Sequence, residues 1–196
     1  ESFNYSDFGF PIKVINNKKP AGLAKNINTI FQYVKGNYFC IINPDIVFNE
    51  IIFLGLINSI KNNDIDIIAP LIMGPEGKIQ DSFRNIPNPF ELIPRYFGRH
   101  TNIELPSTEK IIYPEWLAGM FLFMKSELFH DLGGYNEKYF LYFEDVDFCC
   151  RASNLGKTIA LDPRFEVIHK TKRASRYKLI YFLRHSLSAV KFFLSR

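Results

Sequence analysis

Tyr38-Phe39-Cys40-Ile41-Ile42 is an apolar run without a polar interruption, and it stops abruptly at Asn43-Pro44-Asp45. A strand with one wet face alternates apolar and polar residues. A continuous run closed by turn residues therefore predicts a strand buried on both faces, of the kind found in parallel sheets covered by helices. The flanking segments supply such helices. Between Ala21 and a stop at Gly36, the residues Leu23, Ile27, Ile30, Phe31 and Val34 fall at helical spacing, and Ile51, Leu54, Ile57 and Ile60 do the same between Glu50 and Asn62. Ile12–Ile15 reads as a short strand before the turn residues Asn16 to Pro20, and Ile65–Ala69 as another strand. Strand, helix, strand, helix, strand from Ile12 to Ala69 predicts an α/β architecture with a mostly parallel sheet.

Beyond it, Gly74 to Pro114 is rich in proline and has little periodicity, a long excursion of the sort that often carries function. Trp116–Met124 reads as a strand. Ser126 is placed to cap a short helix ending at Gly133-Gly134, and Glu144–Leu155 has helical spacing. Strands at Thr158–Leu161 and Phe165–Ile168 bring this body to its end at His169. A chain of 196 residues with 47% apolar side chains is long enough for one domain with a substantial core, and too apolar for a disordered chain.

The net charge of +4 conceals an asymmetry. Residues 170–196 contain eight Lys or Arg and no Asp or Glu, which leaves 16 basic against 20 acidic residues in 1–169. An acidic body of net −4 thus precedes a basic tail of net +8, two parts suited to different partners. In the tail Tyr177, Ile180, Leu183, Leu187 and Val190 keep helical spacing, which predicts a basic amphipathic helix. It reads either as an anchor on anionic lipid or as a packed helix with a solvated face. A nucleic-acid partner is not expected, because the body is net negative and the basic residues are confined to that helix. Cys40, Cys149 and Cys150 have neither disulfide-framework nor zinc-ligand spacing, and point to a reduced, cytoplasmic setting. Polar interruptions between Tyr38 and Ile60 argue against a membrane span, and no signal peptide is apparent. The first residue is Glu1 rather than Met, as expected for a piece of a longer protein.

Three places carry candidate chemistry. Asp45, at the carboxyl end of a buried strand, stands where α/β sheets bind ligands; a carboxylate there can hold Mg²⁺ or Mn²⁺ on a diphosphate, or simply sit in an Asn-Pro turn. Phe140-Leu141-Tyr142-Phe143-Glu144-Asp145-Val146-Asp147 places three acids directly after four bulky apolar residues. Acids in a first helical turn favour the helix dipole, but a carboxylate packed on aromatics is also desolvated and can serve as a general base. His169 ends a strand just before the basic tail, and is either structural or a metal or diphosphate ligand.

Taken in order, Asn43-Pro44-Asp45, Trp116-Leu117-Ala118-Gly119-Met120, the run Gly133-Gly134-Tyr135 to Arg151, and His169 resemble the inverting family 2 glycosyltransferases. The likeness is to the rhamnosyltransferase-type branch that builds bacterial surface polysaccharides, and Gly77 to Pro87 is similar to the same branch. The resemblance spans roughly Val14 to Ser175. It implies a nucleotide-diphospho-sugar transferase (GT-A-like) fold and a divalent cation cofactor. It also implies a dTDP- or UDP-linked sugar donor and a saccharide or lipid-linked acceptor at the inner face of the membrane. On this resemblance Asp145 matches the catalytic base, and Glu144 would orient the acceptor or support the base, the two roles being interchangeable. Asp45 matches the last acid of the metal and diphosphate motif, with Asn43 where many members carry a first Asp. Trp116 and Gly119 match the strand beside donor and acceptor, His169 a histidine near the metal or diphosphate, and Arg84 and Arg151 phosphate contacts, a structural ion pair being the role expected of Arg151. The family's opening strand, which ends near Thr-Tyr-Asn, has no counterpart before Ile12, so the fold is expected to lack its first βαβ unit. The domain expectation is a partial catalytic domain over 1–169 and a basic helix over 170–196. A rival expectation is a non-catalytic remnant that docks to a membrane or a partner.

Overall fold

A computed structural model describes residues 10–86, 88, 105, 108–170 and 179–195. The elements in chain order are α1 (Leu23–Phe31), β1 (Tyr38–Ile42), β2 (Ile46–Val47), α2 (Ile51–Asn63), β3 (Ile67–Met73), β4 (Phe83–Arg84), β5 (Trp116–Leu117), β6 (Phe121–Lys125), α3 (Ser126–Asp131), α4 (Glu144–Asn154), β7 (Ile159–His169) and α5 (Leu179–Leu194). Five strands form one sheet in the order β1-β6-β3-β7-β2, and β4 and β5 form a separate antiparallel pair. Strand directions are mixed: β3 and β7 run parallel, whereas β6 is antiparallel to both β1 and β3, and β2 is antiparallel to β7.

The sheet is covered on both faces, as the unbroken apolar runs require. Along β3, Ile67, Ala69 and Leu71 enter a core with Phe39, Ile41, Leu122, Phe129 and Phe148, while Ile68 and Ile72 enter another with Leu56, Ile60, Phe121 and Phe123. The first core lies under α1, α3 and α4, and the second under α2. The ladder between β3 and β7 shifts register after Pro70, opposite Asp162 to Glu166, where the chain bulges through Pro163-Arg164-Phe165. Proline cannot donate to a ladder, so an irregularity at this point is its expected place in a central strand. A third cluster joins Tyr139, Phe143, Val146 and Cys150 to Ala189 and Phe192 of α5.

The structure corrects several sequence expectations. Ile12–Ile15 is not a strand: these residues are largely exposed and have no ladder partner among the described residues. Four residues of alternating apolarity carry too little apolar surface to form an edge without a neighbour to pair with. The predicted strand over Trp116–Met124 is two, β5 and β6, interrupted at Ala118–Met120, and the two predicted strands after Thr158 are one, β7. Ser126 is the first residue of α3 rather than its cap, and its hydroxyl is buried without a hydrogen-bond partner. Tyr177 and Arg176 of the predicted tail helix, and most of the 87–107 excursion, lie outside the described residues. Among those described, no helix is long and apolar enough to cross a membrane.

Candidate active site

The Glu144-Asp145 pair begins α4, and the two residues before it, Tyr142 and Phe143, hold φ of +70° and +68°. Bulky side chains rarely adopt this left-handed conformation, which costs on the order of 1–3 kcal/mol at each position and persists only where surrounding packing enforces it. Here Phe143 is wedged against Phe192 and Phe193 of α5, and the Leu141 carbonyl accepts a hydrogen bond from Ser188 Oγ (2.9 Å). From the other side, the Phe140 carbonyl accepts the Leu23 N–H that opens α1 (2.9 Å). The acids therefore start their helix from a turn held by both ends of the chain.

Asp145 is half-buried, and both its carboxylate oxygens are engaged. Oδ2 accepts the Gly119 N–H and Oδ1 the Val146 N–H, each at 2.8 Å, and the Trp116 indole N–H, itself buried without a hydrogen bond, also favours the anion. Burial nevertheless raises its proton affinity above that of an ordinary aspartate, against the pull of those donors. Glu144 is also buried, but its Oε2 has no partner. Burial first, then the charge of Asp145, pushes Glu144 up to about 8. Gly119 thus contributes its backbone N–H; a Cβ there would meet Asp145 at 3.6 Å, ordinary contact.

A second group lies where β2 meets β7. Ile46 pairs with His169, so Asp45 and His169 become neighbours, with Asp45 Oδ1 at 3.1 Å from His169 Nε2. The other ring nitrogen, Nδ1, is 2.8 Å from Gln80 Oε1, and Gln80 Nε2 donates to the His169 carbonyl (3.2 Å). Asp45 Oδ1 is itself buried, and the His169 ring nitrogen approaches it without hydrogen-bond alignment. A buried hard oxygen beside an imidazole whose far nitrogen is fixed suits a Mg²⁺ or Mn²⁺ that takes its remaining ligands from water and phosphate. Among the described residues no group of three or more His, Cys, Asp or Glu converges on one point, so these residues offer two side-chain donors rather than a closed cage.

Backbone hydrogen bonds connect the two groups. The Asn43 N–H donates to the Met120 carbonyl (2.9 Å), one residue from the Gly119 that holds Asp145. On the other side β4 pairs Arg84 with Trp116, and the Ala118 N–H donates to the Ser82 carbonyl (2.8 Å), so the Gln80–Arg84 stretch runs from His169 to the wall of the acid site. Asn43, Trp116, Gly119, Asp45, His169, Glu144 and Asp145 thus belong to one connected region. Arg84 is engaged with the Asp81 carboxylate through two hydrogen bonds, the NH2 one at 2.7 Å. Arg151 is structural, as expected: it donates to Asp147 Oδ2 (2.8 Å) and to the carbonyls of Leu132 (2.6 Å) and Gly134 (2.7 Å), which ties α4 to the glycine turn.

Three residues of the region escaped the reading of the sequence. Gln80 orients His169, Ser82 has a buried unpartnered hydroxyl, and Tyr135 buries its phenol near both acids, whose charges add to the burial that holds its proton. Tyr135 is set by Asn28 of α1, which accepts its N–H and donates to its carbonyl, each at 2.8 Å. The preceding Gly134, at φ +72°, leaves the space: a Cβ there would sit 2.4 Å from Asn28 Oδ1. Only the paired glycines signalled this in the sequence.

The chain is 26% identical over 168 residues to the rhamnosyltransferase WbbL of Escherichia coli K12, covering 79% of this chain and 63% of that protein. It is 29% identical over 113 residues to the N-acetylglucosaminyl-diphospho-decaprenol L-rhamnosyltransferase of Mycobacterium tuberculosis H37Rv, covering 52% of this chain and 36% of the relative. The chain therefore spans less than two thirds of either relative. Among solved structures it resembles GalNAc-T7 with UDP, GalNAc and Mn²⁺ (TM-score 0.61, 16% identity, 83% of this chain and 32% of that one). It also resembles residues 1–349 of S. aureus TarS (TM-score 0.51, 13% identity, 86% and 44%). The latter two likenesses are of fold and bear out the GT-A-like architecture. The sequence model of Glycosyl transferase family 2 matches residues 3–129, from the N-terminal region through α1, β1 and the Asn-Pro-Asp corner to α3, and the chain belongs to that family.

Proposed function

We propose that the chain transfers a sugar, rhamnose by its relatives' example, from a nucleotide-diphospho-sugar to an acceptor hydroxyl with inversion at the anomeric carbon. The observation that carries this reading is the unequal treatment of the two acids. Glu144 is held protonated near neutral pH by burial and by the neighbouring charge, whereas Asp145, met by backbone N–H donors, is the member favoured as the anion. Asp145 is then the base. It takes the proton of the acceptor hydroxyl as that oxygen attacks the anomeric carbon, and the bond to the diphosphate breaks on the opposite face. Glu144, with Oε2 unpartnered and protonated, donates to the acceptor or holds it in line. Asp45 and His169 would hold the divalent cation, with Asn43 beside them; when bound, it offsets the charge gathering on the leaving diphosphate.

The acceptor is a saccharide, and a lipid-linked one by analogy with the diphospho-decaprenol named for the mycobacterial relative. Such an acceptor would place the work at the inner face of the membrane. The test is transfer from dTDP-rhamnose and UDP-sugars to a synthetic saccharide-diphosphate-lipid. Asp145→Asn is expected to lower kcat by about 10²- to 10⁴-fold. Undiminished transfer by that variant refutes the base assignment, and a product that keeps the donor's anomeric configuration refutes inversion.

A further inference from the structure

α5 has two apolar faces, and the body covers one of them. Ser188, Ala189 and Phe192 are buried against the cluster of Tyr139, Phe143 and Val146, and at the exposed border of this face Lys191 Nζ donates to the Lys138 carbonyl (3.0 Å). On the opposite side Ile180, Leu183, Leu187, Val190 and Leu194 follow one another at intervals of three or four residues. They form a single stripe in which every member is between 50% and 83% exposed. A helix that only closed a domain would show polar residues there; a row of large aliphatic side chains is an interaction surface.

The charge around the stripe selects its occupant. At 100° per residue, Arg184 and Lys191 fall along one margin of it, and Arg184 lies over the ring of the exposed Phe140 (4.6 Å). The segment 170–196 carries eight Lys or Arg and no acid. A second copy of the chain, meeting the stripe through a two-fold interface, would set these like charges against each other. An anionic bilayer neutralises them while its acyl region takes up the aliphatic row. We propose that this outer face of α5 lies on the membrane, with the stripe at the boundary between headgroups and acyl chains and Arg184 and Lys191 at the level of the lipid phosphates.

The same helix, through its inner face, holds the strained turn that ends at Glu144 and Asp145. Docking would therefore fix the acids close to the headgroups, where a lipid-linked diphosphate presents its sugar. That consequence rests on the proposed transfer to a lipid-linked acceptor, but the docking itself does not.

The experiment is flotation of the full chain with phosphatidylglycerol–phosphatidylcholine vesicles and with vesicles of phosphatidylcholine alone, alongside transfer to a soluble acceptor. The chain is expected to float with the anionic vesicles and poorly with the neutral ones. L183E/L187E, at exposed positions and with an unchanged melting temperature, should weaken binding by at least about tenfold. R184Q/K191Q should reduce the preference for anionic lipid. Equal flotation of L183E/L187E and the parent chain overturns the proposal. So does a concentration-dependent dimer that L183E/L187E dissolves without any vesicle binding, which would assign the stripe to a second copy. A chain that floats but transfers nothing refutes the catalytic reading alone, and one that transfers to the soluble acceptor without floating refutes the docking alone.

Discussion

Glu144 and Asp145 are adjacent, both ordinary carboxylic acids in solution and unequal in the fold. Asp145 receives two backbone N–H groups, while Glu144 keeps a buried oxygen with no partner. Because the folded state raises Glu144 to about 8, it binds that proton more tightly than the unfolded chain does, whose glutamate titrates near 4.5. The resulting stability is complete below that unfolded value and is lost as pH climbs towards 8. Glu144→Gln keeps the shape and removes the titration. The variant is therefore expected to melt with the parent at pH 4 and above it at pH 9, by the equivalent of about 5 kcal/mol. Circular-dichroism melts across that range check this, and a gap that does not change with pH contradicts it. The sequence showed acids behind aromatic residues, hence desolvation; it could not show which acid the Gly119 N–H would reach, because that contact joins residues 26 positions apart.

At the scale of elements, α4 is the part on which the site depends. Its first turn is entered through two left-handed non-glycine residues, and its body is tied back by Arg151 to Asp147 and to the carbonyls of Leu132 and Gly134. Arg151→Met would leave two carbonyls without their side-chain donor and a largely buried carboxylate with only the Tyr139 hydroxyl and the Lys138 ammonium beside it. It is expected to lower stability by about 3 kcal/mol, seen as a lower urea midpoint with unchanged slope. Arg151→Lys should recover only part of this, since an ammonium cannot reach all three acceptors in the plane of a guanidinium. α1, α2, α4 and β1 were legible because each carries its own periodicity or unbroken apolar run. Ile12–Ile15 misled because alternation alone does not supply a neighbouring strand. The break between β5 and β6 was invisible because Ala118 to Met120 carries the chain from the β4–β5 pair into the main sheet and takes the Gly119 N–H to Asp145, a contact no local pattern encodes.

At the scale of the molecule, the two halves of the site come from distant parts of the chain. Asp45 and His169 are joined by pairing of β2 with β7, and Gln80 closes the group from the excursion after β3. If these residues hold a cation on a diphosphate, UDP or dTDP with Mn²⁺ should raise the melting temperature; a ligand at 100 times its dissociation constant adds about 2.7 kcal/mol of apparent stability. Asp45→Ala is expected to abolish the Mn²⁺-dependent part of that shift. A full shift in the variant would move the cation elsewhere.

From the order of the residues alone came the α/β alternation, the acid cluster behind its aromatic wall, the family resemblance and the split into an acidic body and a basic tail. These are local or compositional properties, written in consecutive residues. Tertiary structure decided which acid is met by backbone N–H groups, that Gln80 and Tyr135 belong to the site, and that α5 hides one apolar face and shows another. Those depend on which distant segments the sheet brings together, and neither spacing nor charge along a chain encodes a contact across it.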